Sequence, residues 1–201
     1  MPDEIPPPLR RICVFSGSRH GNRPEYAEAA TALGELLVRE GIGLVYGGAT
    51  VGLMGRVAAA VLAGGGEAVG VLPRALIARE IAHPTLTELH IVDSMHQRKA
   101  LMADLADGFV ALPGGFGTLD ELFEILTWSQ LGLHGKPIGL FNAAGFFDPL
   151  LAFVDRTIAE GFVPPSNSAL YCVADDALAL LRKMSAWVAP PPTYKWDLPP
   201  R

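Results

Sequence analysis

Short apolar runs alternate along this chain with longer runs in which apolar residues recur every three or four positions. The short runs predict strands and the longer runs predict helices. The predicted strands are Ile12–Phe15, Gly43–Tyr46, Ala68–Val71, Leu89–Val92, Gly108–Leu112, Ile138–Phe141 and Leu170–Val173. The predicted helices are Pro24–Glu40, Gly52–Ala63, His96–Ala106, Thr118–Leu131, Pro149–Glu160 and Asp175–Ala186.

Strands and helices that alternate almost throughout a chain indicate an α/β fold. Several of the strands are continuously apolar, as expected when both faces of a sheet are covered. We therefore expect a single-domain, Rossmann-like, doubly wound parallel sheet with helices on both faces. Pro-rich tails are expected at residues 1–10 and 189–201, which leaves 11–188 as the folded domain, although Tyr194 and Trp196 could pack against it or against a second subunit.

Composition and charge narrow the classes of function. Half of the 201 residues are hydrophobic and 18% are charged, so the chain is globular. A net charge of −5 gives no electrostatic footprint for nucleic acid. Cys13 and Cys172 lie in apolar runs, as reduced core thiols do. The apolar runs are shorter than a signal peptide or a membrane span requires. We expect a cytoplasmic protein without nucleic-acid or membrane partners.

The most informative segment follows the predicted strand Gly108–Leu112. Three glycines, Gly114, Gly115 and Gly117, lie between this strand and the next helix. Such a junction collects unpaired backbone N–H groups and the positive end of a helix, and glycines allow close approach and positive φ. The segment predicts a phosphate site. Glu121, one turn into the helix, would place a carboxylate beside the anion and suggests chemistry as well as binding.

A purely structural interpretation of this loop stays open. The glycines could form only a tight strand-to-helix turn. Thr118 and Glu121 also match the Thr-x-x-Glu capping box, which needs no substrate. One glycine would be enough for a turn, so the presence of three favours a phosphate site. Thr118 would be a further contact to the phosphate.

Other candidate residues meet the glycine loop at one edge of the predicted sheet, because ligands bind at the carboxyl ends of parallel strands. Gly47 and Gly48 are expected to face the ligand, whereas close packing explains Gly52 and Gly55 equally well. Ser18 lacks the context of a nucleophile and is better explained as a hydroxyl donor to phosphate or ribose. The segments at this edge are Ser16-Gly17-Ser18, Gly47-Gly48, Ser94-Met95-His96 and Pro113–Gly117.

Arg98 occupies a position that is unfavourable for a positive charge, which indicates a functional role. It lies in the first turn of its helix and in the middle of an apolar face that also carries Met95 and Met102. A buried cation there needs an anion, either a substrate phosphate or Glu121; extension to solvent is the alternative. Lys99 could reach phosphate or could equally be solvated.

No metal site is expected from the histidines. His83, His90 and His96 have no helical His-x-x-x-His spacing, and no cysteine lies near enough to complete a site. We therefore predict neither metal nor cofactor.

Two motifs together resemble the LOG ("Lonely guy") family of cytokinin riboside 5′-monophosphate phosphoribohydrolases, long mislabelled as lysine decarboxylases. They are Pro-Gly-Gly-Phe-Gly-Thr-Leu-Asp-Glu, residues 113–121, and Ser-Met-His-Gln-Arg-Lys, residues 94–99. The likeness extends from about Arg11 to Arg182. Four residues depart from the family pattern: Ser16 where many members have Cys, Arg19, Ala49 and Gln97.

The resemblance implies hydrolysis of an N-glycosidic bond, which releases a free base and ribose 5-phosphate. It implies that Arg98 and Glu121 are catalytic, with Ser18, Gly47, Gly48, Met95, Lys99, Gly114, Gly115, Gly117 and Thr118 around the substrate. It also implies a homodimer without cofactor. The alternatives are a general nucleoside 5′-monophosphate nucleosidase in salvage and a nucleotide or molybdenum-cofactor carrier without turnover. Lysine decarboxylation fits least, because the chain offers no obvious Schiff-base lysine.

Overall fold

The computed structural model describes residues 9–77 and 85–191, which form a parallel sheet and its covering helices. The strands are β1 (Arg11–Phe15), β2 (Gly43–Tyr46), β3 (Ala68–Pro73), β4 (Glu88–Val92), β5 (Gly108–Ala111), β6 (Ile138–Phe141) and β7 (Cys172–Ala174). The helices are α1 (Pro24–Arg39), α2 (Gly52–Ala63), α3 (Met95–Leu105), α4 (Phe116–Gln130), α5 (Asp148–Ala159) and α6 (Ala177–Ser185).

The strands pair in the order β4-β3-β2-β1-β5-β6-β7, and every described pairing is parallel. The chain first adds strands on one side of β1 and then returns to pair β5 with its other side. The carboxyl ends of β1 and β5 therefore flank the point where the strand order reverses. Ligands bind at such a crevice in doubly wound sheets, so we expect the segments after β1 and β5 to form the ligand site.

Helices cover both faces of the sheet, as the sequence predicted. On one face the core includes residues of α1, α2 and α6, among them Leu33, Val57 and Leu180. On the other face the buried residues come from α3 and α4, with partly buried residues of α5 packed against them. Residues of the central strands point to each face in turn, since Ile12 belongs to the first core and Cys13 to the second. The sheet is thus a rigid platform from which the strand ends project.

Most predicted boundaries agree with the structure, and two differ informatively. The last strand is shifted and begins at Cys172, because residues 165–170 form a 3-10 helix. Helix α4 begins at Phe116, two residues before the predicted start.

The tails fall largely outside the described residues. Pro2–Pro8, Tyr194 and Trp196 lie there, as does His83. The end of the predicted N-terminal tail is attached to the fold, because the backbone N–H of Arg10 donates to Asp107 Oδ2 over 2.9 Å. Within 9–77 and 85–191, no helix combines the length and apolar character that a membrane crossing requires.

Candidate active site

The predicted edge of the sheet contains a cavity of about 180 Å³. It lies where the loop after β1, the start of α3 and the start of α4 come together. Its lining comprises Ser16, Gly17, Ser18, Met54, Arg98, Gly115, Phe116, Gly117, Thr118 and Glu121. Six of these were predicted as site residues from their positions after separate strands. Ser16, Gly17 and Phe116 lay within the predicted segments without an assigned role, and Met54 was not anticipated as a site residue.

The loops after β1 and β5 are bound together by their backbones. The N–H of Gly17 donates to the carbonyl of Pro113 over 3.0 Å, and the N–H of Leu112 donates to that of Phe15 over 2.9 Å. A Cβ on Gly114 would collide with the side chain of Thr118 and touch the backbone of Gly17. Gly114 is therefore required by this close approach.

Gly115 and Gly117 serve a different purpose. A Cβ on either would meet no atom within 4 Å, so the backbone on this side is open. None of the three loop glycines has a positive φ, so the expectation that they supply left-handed backbone was wrong. Gly115 is extended, with φ −99° and ψ −152°. What the glycines provide is access to the backbone at the start of α4, where N–H groups and the helix dipole favour an anion.

The capping-box interpretation of Thr118 and Glu121 was wrong. Helix α4 has Gly115 as its N-cap, without a capping side chain, so Thr118 is already the third helical residue. Both side chains turn inward: Thr118 is 3% exposed and Glu121 is 9% exposed. Their burial on the cavity wall leaves the carboxylate beside the start of the helix, as predicted for a group that acts on a bound anion.

Two side-chain hydrogen bonds instead cap the start of α3. The side chain of Ser94 accepts from the N–H of Gln97 over 3.1 Å, and Gln97 Oε1 accepts from the N–H of Asp93 over 2.8 Å. Gln97, which departs from the family pattern, thus stabilises the helix start and points away from the cavity lining. This cap fixes the first turn, which carries Arg98.

Arg98 is buried, with 6% of its surface exposed, as its place on the apolar face predicted. Nη2 lies 3.5 Å from the carbonyl of Gly47 and Nη1 lies 3.8 Å from Met95 Sδ. Nε has no hydrogen-bond partner among the described residues. A guanidinium with such weak or missing partners retains donor capacity for a ligand.

Gly47 and Gly48, at the end of β2, differ in function. A Cβ on Gly47 would collide with the guanidinium of Arg98, so Gly47 makes room for that side chain. Gly48 has φ +81°, which favours glycine. Neither belongs to the lining of the 180 Å³ cavity. Gly52 and Gly55 are explained by packing, since Cβ atoms there would collide with the backbones of the Gly17–Arg19 loop and of Thr50.

Met95 and Lys99 also lie outside that lining. Met95 is 42% exposed at the first turn of α3, so the expectation that it shares the buried apolar face was wrong. The ammonium of Lys99 bonds Asp120 Oδ2 over 3.1 Å and Glu124 Oε1 over 3.0 Å, and its side chain is only 11% exposed. Lys99 is thus neither solvated nor directed at the cavity; it connects α3 to α4.

Cys13 lies on β1 beneath the site and is fully buried. Burial raises the pKa of the Cys13 thiol well above its ordinary value, and the charge of Glu121 raises it further. The thiol is therefore neutral and unreactive.

A second cavity of about 260 Å³ adjoins the first and shares Gly17, Ser18 and Gly115 with it. Its walls include the aromatic pair Tyr26 and Phe146, whose ring centroids are 5.6 Å apart. Sequence reasoning missed this cavity, because its two rings come from segments 120 residues apart and no local pattern connects them.

The described residues contain no group of three His, Cys, Asp or Glu side chains placed to hold a metal ion.

Comparison with known proteins identifies the relatives of this chain. A family model described as "Possible lysine decarboxylase" matches residues 54–184. Probable cytokinin riboside 5′-monophosphate phosphoribohydrolase LOGL9 of Oryza sativa subsp. japonica is 51% identical over 180 residues, which cover 90% of this chain and 79% of the relative. Cytokinin riboside 5′-monophosphate phosphoribohydrolase LOG1 of Arabidopsis thaliana is 48% identical over 185 residues, covering 92% and 87%.

Among solved structures, the molybdenum cofactor binding protein from Rippkaea orientalis has a TM-score of 0.68 at 19% identity, covering 90% of this chain and 98% of its own. The Moco carrier protein from Chlamydomonas reinhardtii has a TM-score of 0.66 at 20% identity, covering 89% and 99%. These two show a shared fold only. The sequence relatives decide the family: with about half of its residues identical to theirs, this chain belongs to the LOG family.

Proposed function

We propose that this protein hydrolyses the N-glycosidic bond of cytokinin riboside 5′-monophosphates, and of AMP, to give a free base and ribose 5-phosphate. One observation carries the proposal: two buried and oppositely charged side chains, Arg98 and Glu121, line one cavity at the open start of α4. The relatives named as phosphoribohydrolases support the same reaction.

The 5′-phosphate would bind at the first turn of α4. Gly115 and Gly117 leave the backbone there open, and the N–H groups of the turn point toward the approaching anion. The hydroxyls of Ser18 and Thr118, which line the same cavity, would add donors. This placement leaves the ribose near Glu121.

Glu121 would stabilise the transition state. Cleavage of the bond between ribose and base builds positive charge on the ribose ring, and a carboxylate held nearby lowers the energy of that charge. The same carboxylate would orient the attacking water or hold a ribose hydroxyl. Since its burial excludes most water, the electrostatic effect is larger than it would be at the surface.

Arg98 would act through the donors that the protein leaves without strong partners. Its buried Nε, which has no partner among the described residues, would donate to a phosphate or to the departing base. The weak contacts of Nη1 and Nη2 with Met95 and Gly47 hold the guanidinium plane in place.

Release of free base from N6-isopentenyl-AMP and from AMP tests the proposal. Wild type is compared with Glu121→Gln, which keeps the shape of the side chain and removes its charge. We expect the variant to lose at least about a hundredfold in kcat, as when a transition-state charge partner is removed. The preferred nucleotide then distinguishes hormone activation from general salvage.

Glu35→Gln is the matched control, because Glu35 is exposed on α1 and lies outside the cavity lining. It should keep wild-type activity. If wild type binds either nucleotide and cleaves neither, the hydrolase proposal fails and a nucleotide carrier takes its place.

We also propose that the protein is a homodimer that uses the outer face of α4. Phe116, 93% exposed at the start of α4, borders the cavity, and Phe123 and Leu131 are exposed further along the helix and at its C-cap. Leu133, just beyond the helix, extends this apolar surface. Light scattering on Phe123→Glu tests the idea: a dimeric wild type and a monomeric, folded variant support it, whereas an unchanged oligomer contradicts it.

A cytoplasmic location remains part of the proposal. It is supported by the free thiols of Cys13 and Cys172, which suit a reducing compartment. Fractionation of cells that express the full chain would test it, and recovery in a membrane or extracytoplasmic fraction would contradict it.

A further inference from the structure

Ser16 is a buried hydroxyl that the protein itself does not satisfy. It follows β1 directly, at the point where the strand order reverses, and is 7% exposed. Its Oγ has no hydrogen-bond partner among the described residues. It lines the same cavity as Arg98 and Glu121.

Such an arrangement is unfavourable for folding alone. A hydroxyl removed from water without a partner destabilises the folded state, and most buried polar groups in proteins are therefore paired. The neighbouring backbone cannot supply the partner through Gly17, because the Gly17 N–H is already bonded to the carbonyl of Pro113. The unsatisfied group on the cavity wall thus indicates a ligand atom.

A second unsatisfied donor on the same wall supports this interpretation. Nε of Arg98 is also buried and without a partner within the described part of the chain. Two orphaned polar groups, one neutral and one cationic, therefore line a space that also contains the carboxylate of Glu121. A ligand with several hydroxyl groups satisfies such a set, since each hydroxyl both donates and accepts.

The position of Ser16 identifies the part of the ligand that it would meet. If the phosphate binds at the start of α4 with Ser18, then the sugar is the part that lies beside Glu121. Ser16 lines this space with Glu121 and is buried to a similar extent. We propose that Ser16 Oγ binds a ring hydroxyl of the ribose, at the 2′ or 3′ position, and so makes the site specific for ribonucleotides. This rests on the proposed function for the identity of the sugar.

The test compares AMP with 2′-deoxy-AMP and 3′-deoxy-AMP on wild type, Ser16→Ala and Ser16→Cys. We expect Ser16→Ala to lower kcat/KM for AMP by about two- to tenfold, the range for one neutral hydrogen bond. For the deoxy substrate that lacks the bound hydroxyl, the same substitution should have little effect. Ser16→Cys, with a weaker donor of similar shape, should lie between.

Thermal unfolding distinguishes binding from structural support. Because Oγ has no partner within residues 9–77 and 85–191, Ser16→Ala should keep or raise the unfolding temperature while it loses activity. Ser168→Ala is the matched control: Ser168 is exposed, with its hydroxyl bonded to the carbonyl of Pro165, and it should leave activity unchanged.

Calorimetry with the same three nucleotides keeps this test independent of turnover. If no nucleotide is cleaved, the proposed function fails, but a smaller penalty of Ser16→Ala on the affinity for one deoxy nucleotide than on that for AMP still supports the hydroxyl contact. Equal penalties for all three nucleotides, no penalty at all, or a fall in unfolding temperature that parallels the loss of activity would each overturn the proposal.

Discussion

The guanidinium of Arg98 occupies the space that a side chain on Gly47 would need. A Cβ built on Gly47 would collide with Nη2 and would lie 3.1 Å from Met54 Sδ. Arg98 is itself held against the Gly47 carbonyl, 3.5 Å from Nη2. The glycine after β2 and the arginine of α3 are 51 residues apart in sequence and form one structural unit at the site.

Gly47→Ala should therefore inactivate the protein through Arg98. The added methyl group forces the guanidinium out of its place, and we expect a loss of at least about tenfold in kcat/KM, since small displacements of positioned groups are costly. The measurement is steady-state base release. Gly135→Ala is the control, because its Cβ would make only an ordinary contact, 3.6 Å from Ala189 Cβ. Wild-type activity in Gly47→Ala would show that Arg98 does not need this position.

Lys99 should act by connecting α3 to α4. Burial alone would lower the pKa of its ammonium, but the bonds to Glu124 and Asp120 more than offset this, so its pKa is raised. Lys99→Met removes both bonds and should lower the free energy of unfolding by about 1.5–3 kcal/mol, the range for hydrogen bonds to charged groups. Because α3 carries Arg98 and α4 carries Glu121, kcat should fall as well.

Lys99→Arg provides the comparison, since it keeps the charge and should recover part of the stability. Urea unfolding and steady-state kinetics on the same samples test both effects. If Lys99→Met raises only KM and leaves stability unchanged, then Lys99 binds the phosphate directly and the connection between the helices is unimportant.

Gly114 and Gly115 should respond differently to the same substitution. Gly114→Ala places a methyl group against Thr118 and should destabilise the loop. Gly115→Ala meets no protein atom, so stability should be kept. Because Gly115 lines both cavities, its methyl group would obstruct the anion, and we expect a several-fold increase in KM with a smaller change in kcat. Comparable unfolding temperatures and KM values for the two variants would contradict a structural role for Gly114 and a role in ligand access for Gly115.

His134 should make stability depend on pH. Burial lowers the pKa of its imidazole below the ordinary value of 6.5. The neutral ring bonds the Ile125 carbonyl through Nε2 and accepts from the Lys136 N–H at Nδ1. The neutral His134 ring therefore stabilises the folded state. Because the unfolded chain binds the proton more readily, this stabilisation is fully present above pH 6.5 and is lost as the pH falls from there through the lower folded-state pKa.

Chemical unfolding of wild type between pH 7.5 and 5 measures this loss, with His134→Gln as the comparison. The variant should be less stable than wild type at pH 7.5, and the difference should narrow toward pH 5. A constant difference across that range would show that His134 does not titrate with folding.

The pattern of apolar positions determined the strands, the helices and the parallel sheet, because the core of each element depends on local periodicity. It also determined which segments follow the strands. Arg98 could be identified from its place on an apolar helix face, since burial of a cation is unfavourable wherever that face packs. The glycine loop was recognised from its composition, but the positive φ inferred for it was wrong.

Only the tertiary structure decided the uses of these residues. Whether Thr118 and Glu121 form a cap depended on where α4 begins, and the helix begins at Phe116, with Gly115 as its N-cap. Lys99 found its partners on another helix, Gly47 proved to make room for Arg98, and the hydroxyl of Ser16 was left without a partner. Such contacts join residues distant in the chain. They depend on how the helices pack against the sheet, which no local pattern specifies.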